Sequence, residues 1–202
     1  MSEYWNHNVA YHPLVLGAVP PDCRDALDVG CGDGMLAQKL ATLSRHVAGI
    51  DPSAQMVEQA QERAAGIAEL EFHEGSFLDW PFPSGEFDFV SFVASVHHMD
   101  TNAALTKATE LLRPGGTLVV VGLARNSTPA DWFISALSMP LNRLYDLRSD
   151  VGDPGHPMAE PKLSWGQVRK QARELLPGAR YRHHLHYRYS LIWTKPGLVN
   201  AP

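Results

Sequence analysis

Three alternate glycines and a preceding carboxylate form the stretch of this sequence best suited to bind a ligand. Gly30, Gly32 and Gly34 follow an apolar segment that ends with Asp28 and Val29. Because glycine lacks a Cβ atom, it can adopt positive φ and let a ligand approach the main chain, and a helix that follows offers unpaired N–H groups. The stretch predicts a strand, a tight loop and a helix start around a nucleotide-type pocket.

The position of the carboxylate indicates which ligand this pocket takes. The spacing Gly-x-Gly-x-Gly is one residue tighter than the Gly-x-Gly-x-x-Gly that places a pyrophosphate on a helix N-terminus. Asp28 would repel a phosphate, but it can hold an ammonium group. The implied ligand is a cationic amino acid joined to a nucleoside. An ordinary strand-to-helix turn is the alternative for a glycine loop considered alone.

A second carboxylate, Asp51, stands 21 residues after Gly30. It follows a short apolar segment, 47–50, that is typical of a buried strand. A carboxylate about 20 residues beyond the glycine loop, at the tip of the second strand, can accept hydrogen bonds from both hydroxyls of a ribose. Because Pro52 suits the first position of a helix, Asp51 as a helix N-cap is the alternative.

Further motifs follow in order, and together they resemble the class I S-adenosylmethionine (SAM) dependent methyltransferases. The glycine run is similar to their motif I, and residues 75–88 resemble their segment Gly-Asp-Ala-x-x-Leu-Pro-Phe-x-x-x-x-Phe-Asp. The Leu-Arg-Pro-Gly-Gly sequence at 112–116 is a recurrent turn of the family. The paired His97 and His98 resemble the small-molecule type that includes the ubiquinone and menaquinone enzymes. The resemblance covers residues 26–123.

The resemblance implies SAM as the cofactor and a small molecule as the methyl acceptor, with an O, N or C nucleophile. The cofactor contacts predicted within it are Asp28, Gly30, Cys31, Gly32, Asp51, Pro52, Met56, Ser76, Phe77, Val93 and Ala94, and Tyr11 is added from the aromatic N-terminal segment. Met56 would touch the adenine edge, and a core position is its alternative. Ser76 departs from the family, which commonly has an aspartate there that accepts from the adenine amino group. A neutral hydroxyl is the weaker acceptor.

His97 is the candidate general base, because a neutral imidazole can accept a proton near neutral pH. The alternative is that His97 and His98 line the pocket and hydrogen-bond to its main chain. A second group, His183, His184 and His186, lacks the spacing of a known metal motif and is expected to alternate along a strand. The sequence therefore predicts no metal site.

The order of the elements predicts an α/β fold. It is doubly wound around a mostly parallel seven-stranded sheet, with the last strand antiparallel and helices on both faces. Strands are predicted near 26–28, 47–50, 70–74, 87–94, 117–121, 179–186 and 187–196, and helices at 35–43, 53–65, 101–112 and from a capping box at Ser164 and Gln167 to 176. Residues 87–94 are apolar at both odd and even positions, as in a central parallel strand covered by helices.

The chain is predicted to be one domain over residues 1–202, with two segments outside the common core. Residues 1–25 are rich in aromatic side chains, and they are expected to pack as an N-terminal helix, to close over the cofactor through Tyr4 or Tyr11, or to do both. Residues 124–162 form an insertion, with Thr128 as a candidate N-cap of an amphipathic helix. This insertion is either a lid over the acceptor pocket or a helix packed on the core.

Composition excludes several broad classes of function. With 202 residues, 45% apolar and 19% charged, the chain can bury one sizeable core. Its net charge of -5 argues against a broad nucleic-acid footprint. Cys23 and Cys31 are too few for a disulfide framework, and no stretch approaches the roughly 20 apolar residues that span a bilayer. These features predict a cytoplasmic protein with neither nucleic-acid nor membrane partners, and they leave its oligomeric state open.

Three rival functions share parts of this pattern. A nicotinamide-dependent oxidoreductase would share the fold and Asp51, but it expects the longer glycine spacing and a catalytic set that the sequence lacks. A nucleic-acid or protein methyltransferase is less favoured, because the Asn-Pro-Pro-Tyr type motif is absent after the fourth predicted strand. A non-catalytic SAM-binding module is the third, and it would bind SAM without turnover.

Overall fold

The computed structural model describes residues 7–128, 131, 161–184 and 187–197. Within them the strands are β1 (Asp25–Val29), β2 (His46–Asp51), β3 (Leu70–Glu74), β4 (Phe87–Val93), β5 (Leu112–Leu123), β6 (Arg180–His183) and β7 (Arg188–Thr194). The α-helices are α1 (His12–Leu16), α2 (Met35–Leu40), α3 (Ala54–Arg63), α4 (Thr101–Leu111) and α5 (Trp165–Leu175). Two short 3₁₀ helices cover Val9–Tyr11 and Val96–His98.

The strands form one sheet in the order β3-β2-β1-β4-β5-β7-β6. β7 is antiparallel to both β5 and β6, and the pairs from β3 across to β5 are parallel. This confirms the predicted seven-stranded fold. The strand order reverses between β1 and β4, and in such sheets a crevice opens beyond the carboxyl ends of the strands on either side of that point.

Helices cover both faces of the sheet, so the side chains of β5 are buried on both sides of the strand. Leu118 and Val120 pack into a cluster with α4 and α5, whereas Val119 and Val121 pack into a second cluster with α1 and α2. All four side chains are fully buried. In a strand covered on both faces, side chains at odd and even positions are both buried, which explains the apolar runs of β4 and β5.

The predicted capping box of α5 is present, and Thr128 makes the hydrogen bonds expected of an N-cap residue. Ser164 Oγ accepts from Gln167 N at 3.4 Å and Gln167 Oε1 accepts from Ser164 N at 2.9 Å, which confirms the capping box of α5. Thr128 Oγ1 accepts from Asp131 N at 3.1 Å, while Asp131 Oδ2 accepts from Thr128 N at 2.8 Å. The rest of the predicted insertion, 129–130 and 132–160, lies outside the described residues.

Local boundaries differ from the predicted ones at several places. Ser53 rather than Asp51 is the N-cap of α3, because its Oγ accepts from Met56 N. The predicted turn at 112–116 is part of β5, where the pairing shifts from Phe87 with Leu112 to Phe89 with Thr117 and the intervening residues bulge. The predicted helix at 35–43 and strand at 179–186 are shorter, ending at Leu40 and His183.

The described helices are all too short or too polar to cross a bilayer. The longest of them, α4 and α5, have 11 residues each, whereas a membrane span needs about 20.

Candidate active site

The predicted ligand residues meet at the carboxyl ends of β1, β2 and β4. Val29, the last residue of β1, is paired with Ile50 of β2 on one side and with Phe92 of β4 on the other. Asp51 is the last residue of β2, and the glycine loop begins immediately after β1. The sheet therefore brings Val29 next to residues that are 21 and 63 positions away in the sequence.

The glycine loop has the left-handed backbone that its composition predicts. The φ angles of Gly30, Gly32 and Gly34 are +70°, +54° and +76°. A Cβ atom on Gly30 would lie 2.3 Å from the Cβ atom of Ser95, which follows β4. Because Ser95 Oγ donates to Val29 O at 2.5 Å, this close approach of the two chain segments is tied in place. Both backbone conformation and space require glycine at position 30.

Asp51 holds the loop against the end of β2. Its Oδ2 accepts from Gly32 N at 3.0 Å, and its Oδ1 accepts from Ser53 N at 2.9 Å. The carbonyl oxygen of Ile50 accepts from Gly30 N at 2.8 Å, which adds a main-chain contact. Each carboxylate oxygen has two lone pairs, so Asp51 can still accept hydrogen bonds from ligand hydroxyls.

The carboxylate of Asp28 is buried, because the residue as a whole is only 2% exposed. Its Oδ1 accepts from Ser91 Oγ at 2.8 Å. Burial raises the pKa of Asp28 to about 7; the Ser91 hydrogen bond opposes this rise, and the negative charge of Asp51 adds to it. Among the described residues no cation is paired with Asp28, so its ionised form is stabilised by one neutral donor. A ligand cation would supply the missing charge.

Arg63 is a site residue that the sequence analysis missed. Its Nε donates to Asp33 O at 2.9 Å, and its Nη2 contacts the carboxylate of Asp33, inside the glycine loop. A signal was available, because Met56, Ala60 and Arg63 share the buried face of α3. An arginine on an otherwise apolar helix face is expected to have a buried acidic partner. This ion pair ties the loop to α3.

The remaining predicted cofactor contacts lie around this edge in different environments. Pro52 and Ser76 are exposed, directly after β2 and just beyond β3. Met56 is 7% exposed. Phe77 is 3% exposed and packs edge-on against Phe92 with ring centroids 5.4 Å apart. The Phe77 ring therefore belongs to the core, and only its main chain is available to a ligand.

Three further predicted residues complete the edge. Cys31 is buried and free, and burial raises the pKa of its thiol, so the group stays protonated. Val93 ends β4, and Ala94 follows it with a φ of +54° while its N–H donates to Val121 O at 2.7 Å. Positive φ is uncommon for alanine. This conformation turns the chain out of β4 above the crevice.

His97 and Tyr11 lie on the other side of the crevice, towards β5 and β7. His97 is 8% exposed, its ring centroid lies 4.2 Å from that of His98, and its Nδ1 has no hydrogen-bond partner among the described residues. Burial is the main cause that lowers the pKa of His97 to about 4, and the positive charges of His98, Arg188 and Lys162 lower it further. The Tyr11 ring contacts His184, with centroids 5.2 Å apart.

Comparison with known proteins identifies the family. A family model described as a methyltransferase domain matches residues 26–116. An uncharacterized methyltransferase of Mycobacterium tuberculosis is 31% identical over 203 residues, which cover 97% of this chain and 100% of that protein. The chain is a SAM-dependent methyltransferase.

Two further matches bear on this methyltransferase. The ubiquinone biosynthesis O-methyltransferase of Aromatoleum aromaticum is 33% identical over 114 residues, which cover 51% of this chain and 45% of that protein. The crystal structure of a Pyrococcus horikoshii protein superposes with a TM-score of 0.67 at 20% identity, covering 92% of this chain and 87% of that one. The structural likeness supports the fold alone.

The residues at the edge of the sheet fit SAM chemically. Asp28 offers a buried carboxylate that has no cationic partner among the described residues, which suits the ammonium group in the amino-acid part of SAM. Asp51 offers acceptors for the two ribose hydroxyls, and the glycine loop offers main chain without side chains. The methyltransferase thus has acceptors suited to the ammonium group and to the ribose hydroxyls of the cofactor, and Ser76 is the candidate for the adenine base.

Proposed function

We propose that this methyltransferase transfers the methyl group of SAM to a small molecule, with the cofactor along the carboxyl ends of β1 and β2 and the acceptor beside His97. Asp28 would bind the ammonium group and Asp51 the ribose hydroxyls. The ubiquinone biosynthesis relative carries O-methyltransferase in its name, which favours an oxygen nucleophile. The single observation that carries the proposal is the buried carboxylate of Asp28 beside the glycine loop.

The chemistry of the cofactor determines what is left for the protein to do. SAM supplies a methyl group already activated on a sulfonium, which leaves as a neutral thioether when a nucleophile forms the new bond. The protein contributes orientation and exclusion of water, which can account for much of the rate enhancement. Few catalytic residues are needed, and in this chain the candidate is His97, whose neutral imidazole can accept the proton of a hydroxyl or amine nucleophile.

Direct binding and transfer measurements test the proposal. Calorimetric titration with S-adenosylhomocysteine, the demethylated cofactor, should show one site with micromolar affinity, and NADH should show none. SAM with a labelled methyl group should then label at least one member of a small-molecule panel. Absence of S-adenosylhomocysteine binding, or label transferred to protein or nucleic acid but to no small molecule, would contradict the proposal.

Replacement of His97 by alanine should lower turnover about 100-fold, because a positioned general base contributes about 10²–10⁴-fold. Affinity for S-adenosylhomocysteine should stay within about threefold of the original, since His97 lies on the acceptor side. Turnover is measured on the acceptor that the labelling panel identifies. His46→Ala, at the exposed amino end of β2, is the matched control. Unchanged turnover in His97→Ala would rule out the base and leave a pocket-lining role.

A further inference from the structure

Two cations, Arg188 and Lys162, and a second imidazole, His98, act electrostatically on His97, and they come from separate parts of the chain. His98 is its neighbour in the short 3₁₀ helix, Arg188 begins β7, and Lys162 precedes α5. Each of these three groups lowers the pKa of His97, and they are the titratable groups of the described residues that act on it. A chain with a net charge of -5 therefore concentrates cations at this side of the crevice.

The sheet places Arg188 level with the segment after β4. Val93 is paired with Val121, and Arg188 is paired with Leu123, two residues further along β5. Neighbouring strands are about 4.8 Å apart, so the long Arg188 side chain can reach the crevice across β5. Arg188 is 9% exposed. Its Nη2 donates to Asn8 Oδ1 at 2.7 Å, and its guanidinium carbon lies 5.9 Å from the Tyr11 ring centroid.

Lys162 approaches the same place from the segment before α5. Leu163 O accepts from Arg125 N at 2.9 Å, just beyond the end of β5, which puts residue 162 next to the end of that strand. Lys162 is exposed, so its ammonium group is accessible to a ligand. The acids of the site, Asp28 and Asp51, lie at β1 and β2 on the opposite side. The crevice is thus negative at one end and positive at the other.

We infer that the methyl acceptor is an anion, a small molecule whose carboxylate group contacts Arg188 and Lys162 while its nucleophilic atom faces His97. An arginine fork and a lysine are the side chains that best recognise carboxylates. The Tyr11 ring lies beside Arg188, and it would form an aromatic wall for such an acceptor. This inference rests on the proposed function and adds the chemical class of the acceptor.

An anionic acceptor also makes the base role of His97 workable. With a pKa of about 4, the imidazole is neutral at pH 7 but is a weak base for a hydroxyl proton. A bound carboxylate offsets the positive charges of Arg188 and Lys162, and so raises the pKa of His97 towards neutrality. An uncharged acceptor leaves the pKa low. The acceptor would therefore contribute to its own deprotonation.

The test uses matched pairs of hydroxyphenyl carboxylic acids and their neutral amides, titrated into protein saturated with S-adenosylhomocysteine. At least one acid should bind about tenfold or more tightly than its amide. Arg188→Gln and Lys162→Gln should each remove most of this preference, whereas Arg182→Gln, on the exposed part of β6, should keep it. If no acid in the panel binds more tightly than its amide, the inference is wrong.

Two further readouts separate a failed variant from a failed inference. Affinity for S-adenosylhomocysteine should be unchanged in all three variants, and if Arg188→Gln does not fold, the exposed Lys162 still provides the test. The His97 imidazole proton resonance, followed by NMR, should titrate at higher pH with the acid bound than with the amide. Loss of S-adenosylhomocysteine binding in the unaltered protein contradicts the proposed function itself. Intact cofactor binding without preference for acids contradicts only the inference.

Discussion

Asp28→Asn is expected to weaken S-adenosylhomocysteine binding about 100-fold, because it removes the negative charge that would face the cofactor's ammonium group. A hydrogen bond to a charged group is worth about 1.5–3 kcal/mol, and 100-fold corresponds to about 2.7 kcal/mol. Asparagine keeps the shape of the side chain and an oxygen that can accept from Ser91. The loss of affinity therefore reports the charge rather than the packing.

The same substitution should stabilise the free protein above neutral pH. The unfolded chain ionises Asp28 near its ordinary pKa of 3.8, whereas the folded protein keeps it protonated up to about pH 7. The folded state binds more protons between these values, so its stability falls as the pH rises from about 4 to 7. The difference between the folded and unfolded pKa values of Asp28 corresponds to about 4 kcal/mol in the free energy of unfolding. Asparagine does not ionise, so the variant should be as stable as the original protein at pH 4. Its gain in the free energy of unfolding should be largest at pH 8.

Urea unfolding at pH 4 and pH 8, and calorimetry between pH 5 and 8, measure these opposite effects. Affinity of the original protein should rise about tenfold per pH unit up to pH 7 and then level off, because binding requires ionised Asp28. In Asp28→Asn this dependence should disappear. Asp22→Asn, an exposed acid in the loop before β1, is the control. Lower affinity together with lower stability at pH 8 would mean that Asp28 is structural.

Asp51→Ala is expected to lower S-adenosylhomocysteine affinity by about 100-fold or more, for two reasons that act together. Its carboxylate is the proposed acceptor for the ribose hydroxyls, and each such bond is worth about 1.5–3 kcal/mol. It also accepts from Gly32 N at 3.0 Å and from Ser53 N at 2.9 Å, so its loss releases the glycine loop. Glu58→Ala, exposed on α3, should leave the affinity unchanged.

A double-mutant cycle with an altered ligand separates the two causes. Removing the 2′-hydroxyl from S-adenosylhomocysteine should lower its affinity for the original protein about tenfold. Against Asp51→Ala the same change in the ligand should have almost no effect, because its partner is already absent. If the deoxy ligand loses affinity equally against both proteins, Asp51 acts through the loop and not through the ribose.

Much of the cofactor end of the site follows from local sequence rules. The glycine loop takes positive φ because its residues lack Cβ atoms, and the capping box of α5 forms between residues three apart. β3 spans Leu70–Glu74, as predicted. The N-cap of α3 was the alternative role for Asp51, and the structure gives that role to Ser53, while Asp51 accepts from Gly32 and Ser53. For Asp51, the local sequence allowed two roles, and only the structure shows the contact with Gly32.

Other features of the cofactor end depend on residues far apart in the chain. Ser91 donates to Asp28 across 63 positions, Arg63 reaches Asp33 across 30, and Ser95 excludes a side chain at Gly30. None of these pairs has a spacing motif, because they form only when β4 pairs with β1 and α3 packs on the loop. The raised pKa of Asp28 likewise comes from burial, which the sequence alone does not reveal.

The sequence by itself determined the fold class and the segment that would hold a ligand, because hydrophobic patterning and glycine conformation act over a few residues. It also singled out His97. Only the tertiary structure decided the charge around that histidine. Arg188 acts on His97 because β7 inserts antiparallel beside β5 and brings Arg188 back to the carboxyl edge of the sheet. Electrostatic interactions depend on distance in space rather than along the chain.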